Sequence, residues 1–437
     1  MAEIKRELGF LCGIVASVAL VLAGCEEISL EEETPGPPKG SDSGHPAPPG
    51  GTNAPPLEVP DGIGSEEEVS SFVGLRPSIA LDADGQPHIV ADDNSGSRIA
   101  LFHRIGGSWR GGTFAQGEPG GKYDASRVYV PWIQVDPQNR AWVSATFGVK
   151  EFGTMEGVGV WCVENVNTAP QVRFFRLLSE KDLSKGFGIV GVDPGEPGSA
   201  IVYSRDGKWV KLDLSGTIRA RGQMYCGPTG EKVRFVVAPR QGQPGVWHAA
   251  MGGYEKSPSL YQNSLRAAQG LAPVAWTSYS AYPEMESDFR HPGLGYDGKN
   301  SAVAYIACSF QAGLAYNVWD GSKMVFPTTA LPVVDSAAQF VQRFAPQWAP
   351  AKGGGAYLAW SAGGRVRIVR VTSTGTLKEI FPDRPNFREV CTGTSPAICT
   401  DPAGNIHLAY VNGGLRYRTI GIAKADKDDR STSQTDK

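Results

Sequence analysis

Short apolar runs with a period of two, broken by turn residues, recur along most of the chain. The clearest is Ser395 to Tyr410, SPAICTDPAGNIHLAY, in which an apolar strand meets a turn marked by Asp401, Pro402 and Gly404 and then a second alternating strand. This pattern predicts a β-hairpin. Weaker versions return at intervals of roughly 50 residues, the signature of stacked units that cannot bury their faces alone. Six further openings match it: Arg76 to Ala91, Val130 to Ala145, Gly188 to Ser204, Arg234 to Ala250, His291 to Ile306 and Ala345 to Ser361. Five of the seven carry proline in the same early slot, at Pro77, Pro131, Pro292, Pro346 and Pro396.

A third strand is predicted after the hairpin, as in Ile99 to Arg104, Gly157 to Val163, Leu314 to Trp319 and Leu415 to Ile420. A fourth follows in most repeats, for example Val172 to Leu178 and Thr376 to Phe381. Four strands repeated seven times describe an all-β fold, a seven-bladed β-propeller of four-stranded antiparallel blades over residues 65–421. The last repeat runs out after three strands. Glu67 to Gly74, EEVSSFVG, is therefore expected to supply its outer strand and close the ring.

The ends read differently. Residues 1–24 form a signal segment: Lys5 and Arg6, then an apolar run from Leu8 to Leu22 that is too short to span a bilayer comfortably. Residues 25–64 are acidic and then Pro-rich, which predicts an extended tether, with His45 in solvent. Residues 422–437 are polar and expected to fray.

Composition agrees with a turn-rich β chain, with 55 Gly and 32 Pro in 437 residues. The net charge of −3 hides an uneven distribution. Residues 1–75 carry 3 Lys/Arg against 13 Asp/Glu, whereas Arg76 to Gly421 carries 35 against 28. A mildly basic body on an acidic leash suits an anionic ligand, and no basic run with interleaved aromatics suggests nucleic acid.

In a propeller the loops before each first strand share one face with the loops between second and third strands. A cation lies at or just before nearly every first strand: Arg76, Arg127, Lys185, Arg234, Arg290 and Arg343. Guanidinium groups hold carboxylate and sulfate bidentately, so such a ring predicts an anion site, with Arg76, Arg290 and Arg343 foremost. Solvated loop cations are the alternative reading. The same face should carry Asp92, Asp93, Asn94, Glu151 and Glu156, which could serve as paired carboxylates in glycoside hydrolysis or simply cap turns. For uronate lyase chemistry the best set is His291 beside Arg290, with Tyr203 and Arg205 across the ring.

His88, His248 and His407 occupy nearly equivalent second-strand positions, which argues for a shared structural role, and His103 has no assigned one. No spacing suggests a metal, and no cofactor is expected. Trp132, Trp247, Trp348 and Trp360 are expected between blades. Cys162, Cys226, Cys308, Cys391 and Cys399 make an odd set, of which Cys391 and Cys399 are close enough in sequence to form a disulfide. A catalytic thiol is not expected.

Two resemblances add to this. Leu22-Ala23-Gly24-Cys25 resembles the lipobox of bacterial lipoproteins, which implies cleavage before Cys25, its lipidation, and a lipid anchor in the cell envelope, at the outer membrane or cell surface. The run Asp401-x-x-Gly404-Asn405-x-His407-Leu408-Ala409-Tyr410, followed by LRYR, resembles repeats of the bacterial sialidase-like or BNR-like propellers. That family includes sialidases, uronate polysaccharide lyases and lectin-like proteins, and its sialidases hold a substrate carboxylate with three arginines in comparable places. The chain departs from the sialidase pattern: Ser204 to Trp209, SRDGKW, is one residue short of an Asp box, and no intact one occurs. The expectation is a monomeric, exported propeller that binds an acidic carbohydrate, with a lyase or glycosidase, or a protein-interaction scaffold, as alternatives.

Overall fold

The computed structural model describes residues 62–71, 76–92, 98–116, 125–149, 155–179, 182–183, 189–192, 196–204, 208–223, 234–239, 246–253, 256–264, 290–300, 302–310, 313–326, 331–338, 346–381 and 388–422, some strand positions by backbone alone. The signal segment, Cys25 and the tether up to residue 61 lie outside them, whereas Gly62 to Gly64, expected as the end of the tether, pair with the last strand through the Ile63–Ile420 bridge and the Gly64 amide on the Thr419 carbonyl. Every described element is a β-strand.

The chain enters through β1 (Glu67–Ser70) and then builds antiparallel sheets in sequence order. Sheet one is β2 (Ser78–Leu81), β3 (Pro87–Asp92), β4 (Arg98–Ile105) and β5 (Ser108–Gln116). Sheet two is β6 (Ala125–Val135), β7 (Ala141–Val149), β8 (Met155–Glu164) and β9 (Gln171–Ser179). Sheet three is β10 (Ile189–Val192), β11 (Ser199–Tyr203), β12 (Lys208–Asp213) and β13 (Ile218–Gln223). Among the described residues sheet four has three strands, β14 (Arg234–Pro239), β15 (Val246–Gly253) and β16 (Lys256–Ser264). Sheet five is β17 (Arg290–Tyr296), β18 (Ala304–Phe310), β19 (Gly313–Trp319) and β20 (Val333–Asp335).

Sheet six contains β21 (Gln347–Pro350), β22 (Ala356–Ala362), β23 (Arg365–Val371) and β24 (Leu377–Glu379). A further segment, β25 (Glu389–Thr392), also pairs with β23, so two short pieces share the outer position. The sequence pattern placed one strand there, because it reads periodicity and not pairing. Sheet seven joins β26 (Thr394–Thr400), β27 (Ile406–Val411) and β28 (Leu415–Ile420) to β1, with Glu67 opposite Tyr417 and Glu68 opposite Arg416. These four-stranded antiparallel sheets are compatible with propeller blades.

Alternation explains the packing. Second strands such as β22 (AYLAWSA) and β3 (PHIVAD) are buried throughout because both their faces meet a neighbouring sheet. The third strand β23 (RVRIVRV) instead alternates half-buried Arg with buried Val and Ile. Apolar clusters lie between consecutive sheets: one and two share Ile99, Leu101, Ile133 and Trp161, and two and three share Trp142, Val160, Val202 and Leu212. Sheets five and six, six and seven, and seven and one are joined in the same way. Each fully buried Val, Leu or Ile contributes about 1.5–3 kcal/mol.

The approach of sheet five to sheet six depends on glycine. A Cβ on Gly293 would lie 2.0 Å from the Pro346 carbonyl oxygen, and one on Gly295 would lie 2.4 Å from Trp348 Cβ. Gly293→Ala must therefore separate β17 from β21, and a loss of about 3 kcal/mol is expected in urea unfolding, at the upper end of ordinary overpacking costs. An unchanged midpoint would show that the two strands are not in this contact.

At the C-terminal end Ile422 is buried against the cluster between sheets six and seven. The body therefore extends one residue into the stretch expected to fray.

Candidate functional site

One end of the sheets is scaffold, and its construction repeats. Gly85, Asn139, Gly216 and Gly404 each return an N–H to the carbonyl of an aspartate three residues earlier, at Asp82, Asp136, Asp213 and Asp401, over 2.9–3.0 Å. All four have positive φ, including Asn139 at 56°, so Asn stands where the other turns use Gly. One oxygen of each aspartate caps the turn amides and the other accepts from a side chain on the returning strand. Asp82 Oδ2 meets His88 Nε2 at 3.0 Å, and Asp401 Oδ2 meets His407 Nε2 at 3.4 Å. Asp136 Oδ2 accepts from Arg140 Nε and from Trp142 Nε1, and Asp213 Oδ2 accepts from Arg219 Nε at 2.5 Å. The carboxyls of Asp82 and Asp401 sit below the usual range: burial pushes them up, but the hydrogen bonds to the histidines and turn amides outweigh it.

This arrangement accounts for His88, His103 and His407. Asp82 can only accept, so His88 donates through Nε2, and in the neutral ring its Nδ1 then accepts from His103 Nδ1–H at 2.9 Å. His407 Nδ1 lies 2.6 Å from the Tyr417 hydroxyl. All three rings are buried and hydrogen-bonded within their sheets, in the structural role expected of His88 and His407. His248 is described by backbone only.

The candidate chemistry belongs to the opposite end, where the first strands begin. Arg76 stands two residues before β2, Arg127 is the third residue of β6, and Arg234 and Arg290 open β14 and β17. The first strands adjoin in succession, β2 with β6, β6 with β10, β10 with β14, β14 with β17, β17 with β21, β21 with β26, and β26 with β2. Backbone placement thus brings four arginines to the same ends of the first strands, as two adjacent pairs, Arg76 with Arg127 and Arg234 with Arg290. For Arg127, Arg234, Arg290 and the adjacent His291 the side chains lie outside the described residues, as does that of Glu156. Arg343, Asp93, Asn94, Glu151, Lys185 and Arg205 lie wholly outside them.

Where side chains are described, this end is already partly neutralised. Arg76 Nη1 lies 3.4 Å from Asp92 Oδ2, and Asp92 is buried at the end of β3. Further out, Arg367 bonds both Asp335 and Glu389, and Arg388 bonds Glu379 at 3.0 Å. Burial pushes the Asp335 carboxyl up, but the Trp360 and Arg367 hydrogen bonds bring it below its ordinary range. These third- and outer-strand cations hold the fold, which separates them from the first-strand arginines. Sequence reading missed the Asp335 and Asp92 partners because both pairs join residues on or beside different strands, well separated in the chain.

Tyr203, a member with His291 of the set expected for proton abstraction, is 1% exposed at the end of β11. A polymer could not reach it there, since the chain had to bury this aromatic end of a second strand between sheets. Cys391 and Cys399 are free thiols, and no disulfide joins them. Cys391 pairs opposite Val366 in sheet six and Cys399 opposite His407 in sheet seven, so the loop between them passes from one sheet to the next instead of folding back. Burial pushes the Cys391 and Cys162 thiols up to about 12, which leaves them inert. Trp348 stacks on Tyr305 of the neighbouring sheet at 5.4 Å, and Trp360 and Trp132 pack in clusters between sheets. Trp247, Cys226 and Cys308 have no described side chain. Among the described residues no group of His, Cys, Asp or Glu could hold a metal ion.

No known protein family matches the chain, and no curated protein matches its sequence. Among solved structures, Saccharomyces cerevisiae Sqt1 overlaps 79% of this chain and 83% of its own, at 12% identity and a TM-score of 0.46. At that score the likeness carries no argument about fold details or function.

Proposed function

We propose that residues 65–421 form a seven-bladed β-propeller, held at the bacterial envelope through lipidated Cys25, that binds an acidic glycan at the end where its first strands begin. The observation that carries this reading is the placement of Arg76, Arg127, Arg234 and Arg290 at the leading ends of four first strands, in a body with a surplus of seven positive charges. Planar guanidinium groups suit carboxylate and sulfate bidentately, and a basic end would concentrate a polyanion. The course of β1 agrees with it: Gly62 lies beside Gly421, at the end that carries the Asp401 turn and not at the arginine end. The burial of Tyr203 favours binding over lyase chemistry.

The full chain should bind polygalacturonate or dextran sulfate with an affinity that falls steeply with salt. Replacing Arg127, Arg234 and Arg290 together by Glu should weaken binding at least about tenfold, since each close charge contact is worth about 1 kcal/mol or more. Isothermal titration and the absorbance of unsaturated uronate read binding and cleavage separately. Unchanged affinity in the triple variant would dismiss the site, and uronate absorbance would replace the binding reading by the lyase one.

A further inference from the structure

The acidic run Glu66-Glu67-Glu68 stands at the start of the expected outer strand, and each of its carboxylates has its own partner. Glu66 accepts from the Tyr410 hydroxyl and lies 3.5 Å from Arg418. Glu67 Oε1 accepts from Arg104 Nη2 and its Oε2 from Trp109 Nε1, both at 2.9 Å, which links sheet seven to sheet one. Glu68 accepts from Arg416 Nη1 at 2.6 Å. Between them Val69 is the one residue of β1 in the apolar cluster shared by sheets seven and one.

β1 itself is four residues long with an irregularity between Glu68 and Ser70; the segment before it adds the Ile63–Ile420 bridge and two backbone hydrogen bonds at Gly62 and Gly64, and the charged side chains form partly exposed ion pairs. Such pairs are individually weak and further weakened by salt. Removing β1 would uncover the hydrogen-bonding edge of β28, flanked by Arg104, Arg416 and Arg418, and an unpaired edge is a template for strand addition. The segment with matching charge and spacing is β1 itself, which every copy of the chain carries.

We infer that β1 is an exchangeable strand: Gly62–Ser70 leaves β28 as a unit while the sheets stay folded, and the vacated edge takes the same segment of a second copy. This does not depend on the glycan reading, because it uses neither the arginine end nor the lipid anchor. The specificity lies in three glutamates meeting three arginines, Trp109 and Tyr410, with Val69 fixing the register. The basic edge of β28 is thus an interaction surface closed from within.

Register pairs Glu68 with Arg416, so cysteines at these two positions report on it. One full-length chain carrying Glu68→Cys is mixed with another carrying Arg416→Cys under mild oxidation, beside a single chain carrying both. The double variant should form its internal bond at once. The mixture should accumulate a covalent heterodimer, several-fold faster at 0.5 M than at 0.05 M salt, mapped by peptide mass to positions 68 and 416. No heterodimer after days, in a mixture whose double-variant control closes, overturns the exchange. A bond mapped to the native cysteines does so as well. Failure of the double variant to close overturns the β1 placement on which it rests.

Discussion

Asp297→Ala should destabilise the protein by about 4 kcal/mol, more than any other single carboxylate in the described body. Asp297 is buried at the end of β17 and serves two sheets at once. Its Oδ1 accepts from the Lys299 and Asn300 amides at 2.8 Å. Its Oδ2 accepts from the Tyr305 hydroxyl at 2.7 Å and from the Gly355 amide of sheet six at 2.6 Å. Sheet six has Ala351 where other hairpins have aspartate, so the neighbouring sheet supplies the acceptor its turn lacks. Truncation leaves Tyr305 and Gly355 with buried, unsatisfied donors, each costing about 1–3 kcal/mol, and releases the Lys299 turn. Asp297→Asn keeps one acceptor oxygen and should lose about half as much. Tyr305 supports this account, since burial and the Asp297 contact both push its phenol above the ordinary range. Urea unfolding of the two variants checks it, and equal small losses would show that the carboxylate is not shared between sheets.

The second large effect is an acid lability centred on sheet one. Burial, aided by the neighbouring His88, pushes His103 down to about 3 from an ordinary 6.5. The unfolded chain therefore takes up this proton near pH 6.5 while the folded chain resists it until about pH 3. Stability from this group is complete above pH 6.5 and is lost as pH falls towards 3. The slope is about 1.4 kcal/mol per pH unit, so a loss of about 3 kcal/mol is expected between pH 6 and pH 4. His407 is also held low by burial, against the opposing pull of Asp401, and adds to the same window. Below pH 4 the depressed carboxyls of Asp82 and Asp401 steepen the fall. His103→Phe leaves His88 Nδ1 unpaired and should be less stable at pH 7, yet its stability should fall less between pH 6 and pH 4. An unchanged slope would mean that His103 is not buried neutral.

The hairpins were legible in the sequence because their turn chemistry is local. Asp401, Gly404 and His407 sit at fixed offsets, and the same offsets recur at Asp82, Gly85 and His88. The pairing of Glu67 with the last sheet was legible for a different reason: the last repeat lacked an outer strand, and the stretch from Glu67 offered one. What remained hidden depends on contacts between sheets. Nothing near Asp297 in sequence points to Gly355, and nothing near Asp335 points to Arg367. The disulfide expectation failed for the same reason, since eight residues of spacing between Cys391 and Cys399 do not reveal that a sheet boundary falls between them. The position of Tyr203 in the chain places it across the ring from His291, but strand position alone does not say whether an aromatic side chain reaches the opening or the interior.

The arginines remain the least local feature of all, since Arg76, Arg127, Arg234 and Arg290 become neighbours only through the succession of first strands. Hydrogen exchange of the full chain with and without dextran sulfate tests that grouping most directly. Protection should concentrate at the leading ends of β2, β6, β14 and β17 and be absent from the turns at Asp82, Asp136 and Asp401. Protection at those turns, or none at the arginine ends while the polymer is bound, would contradict the account.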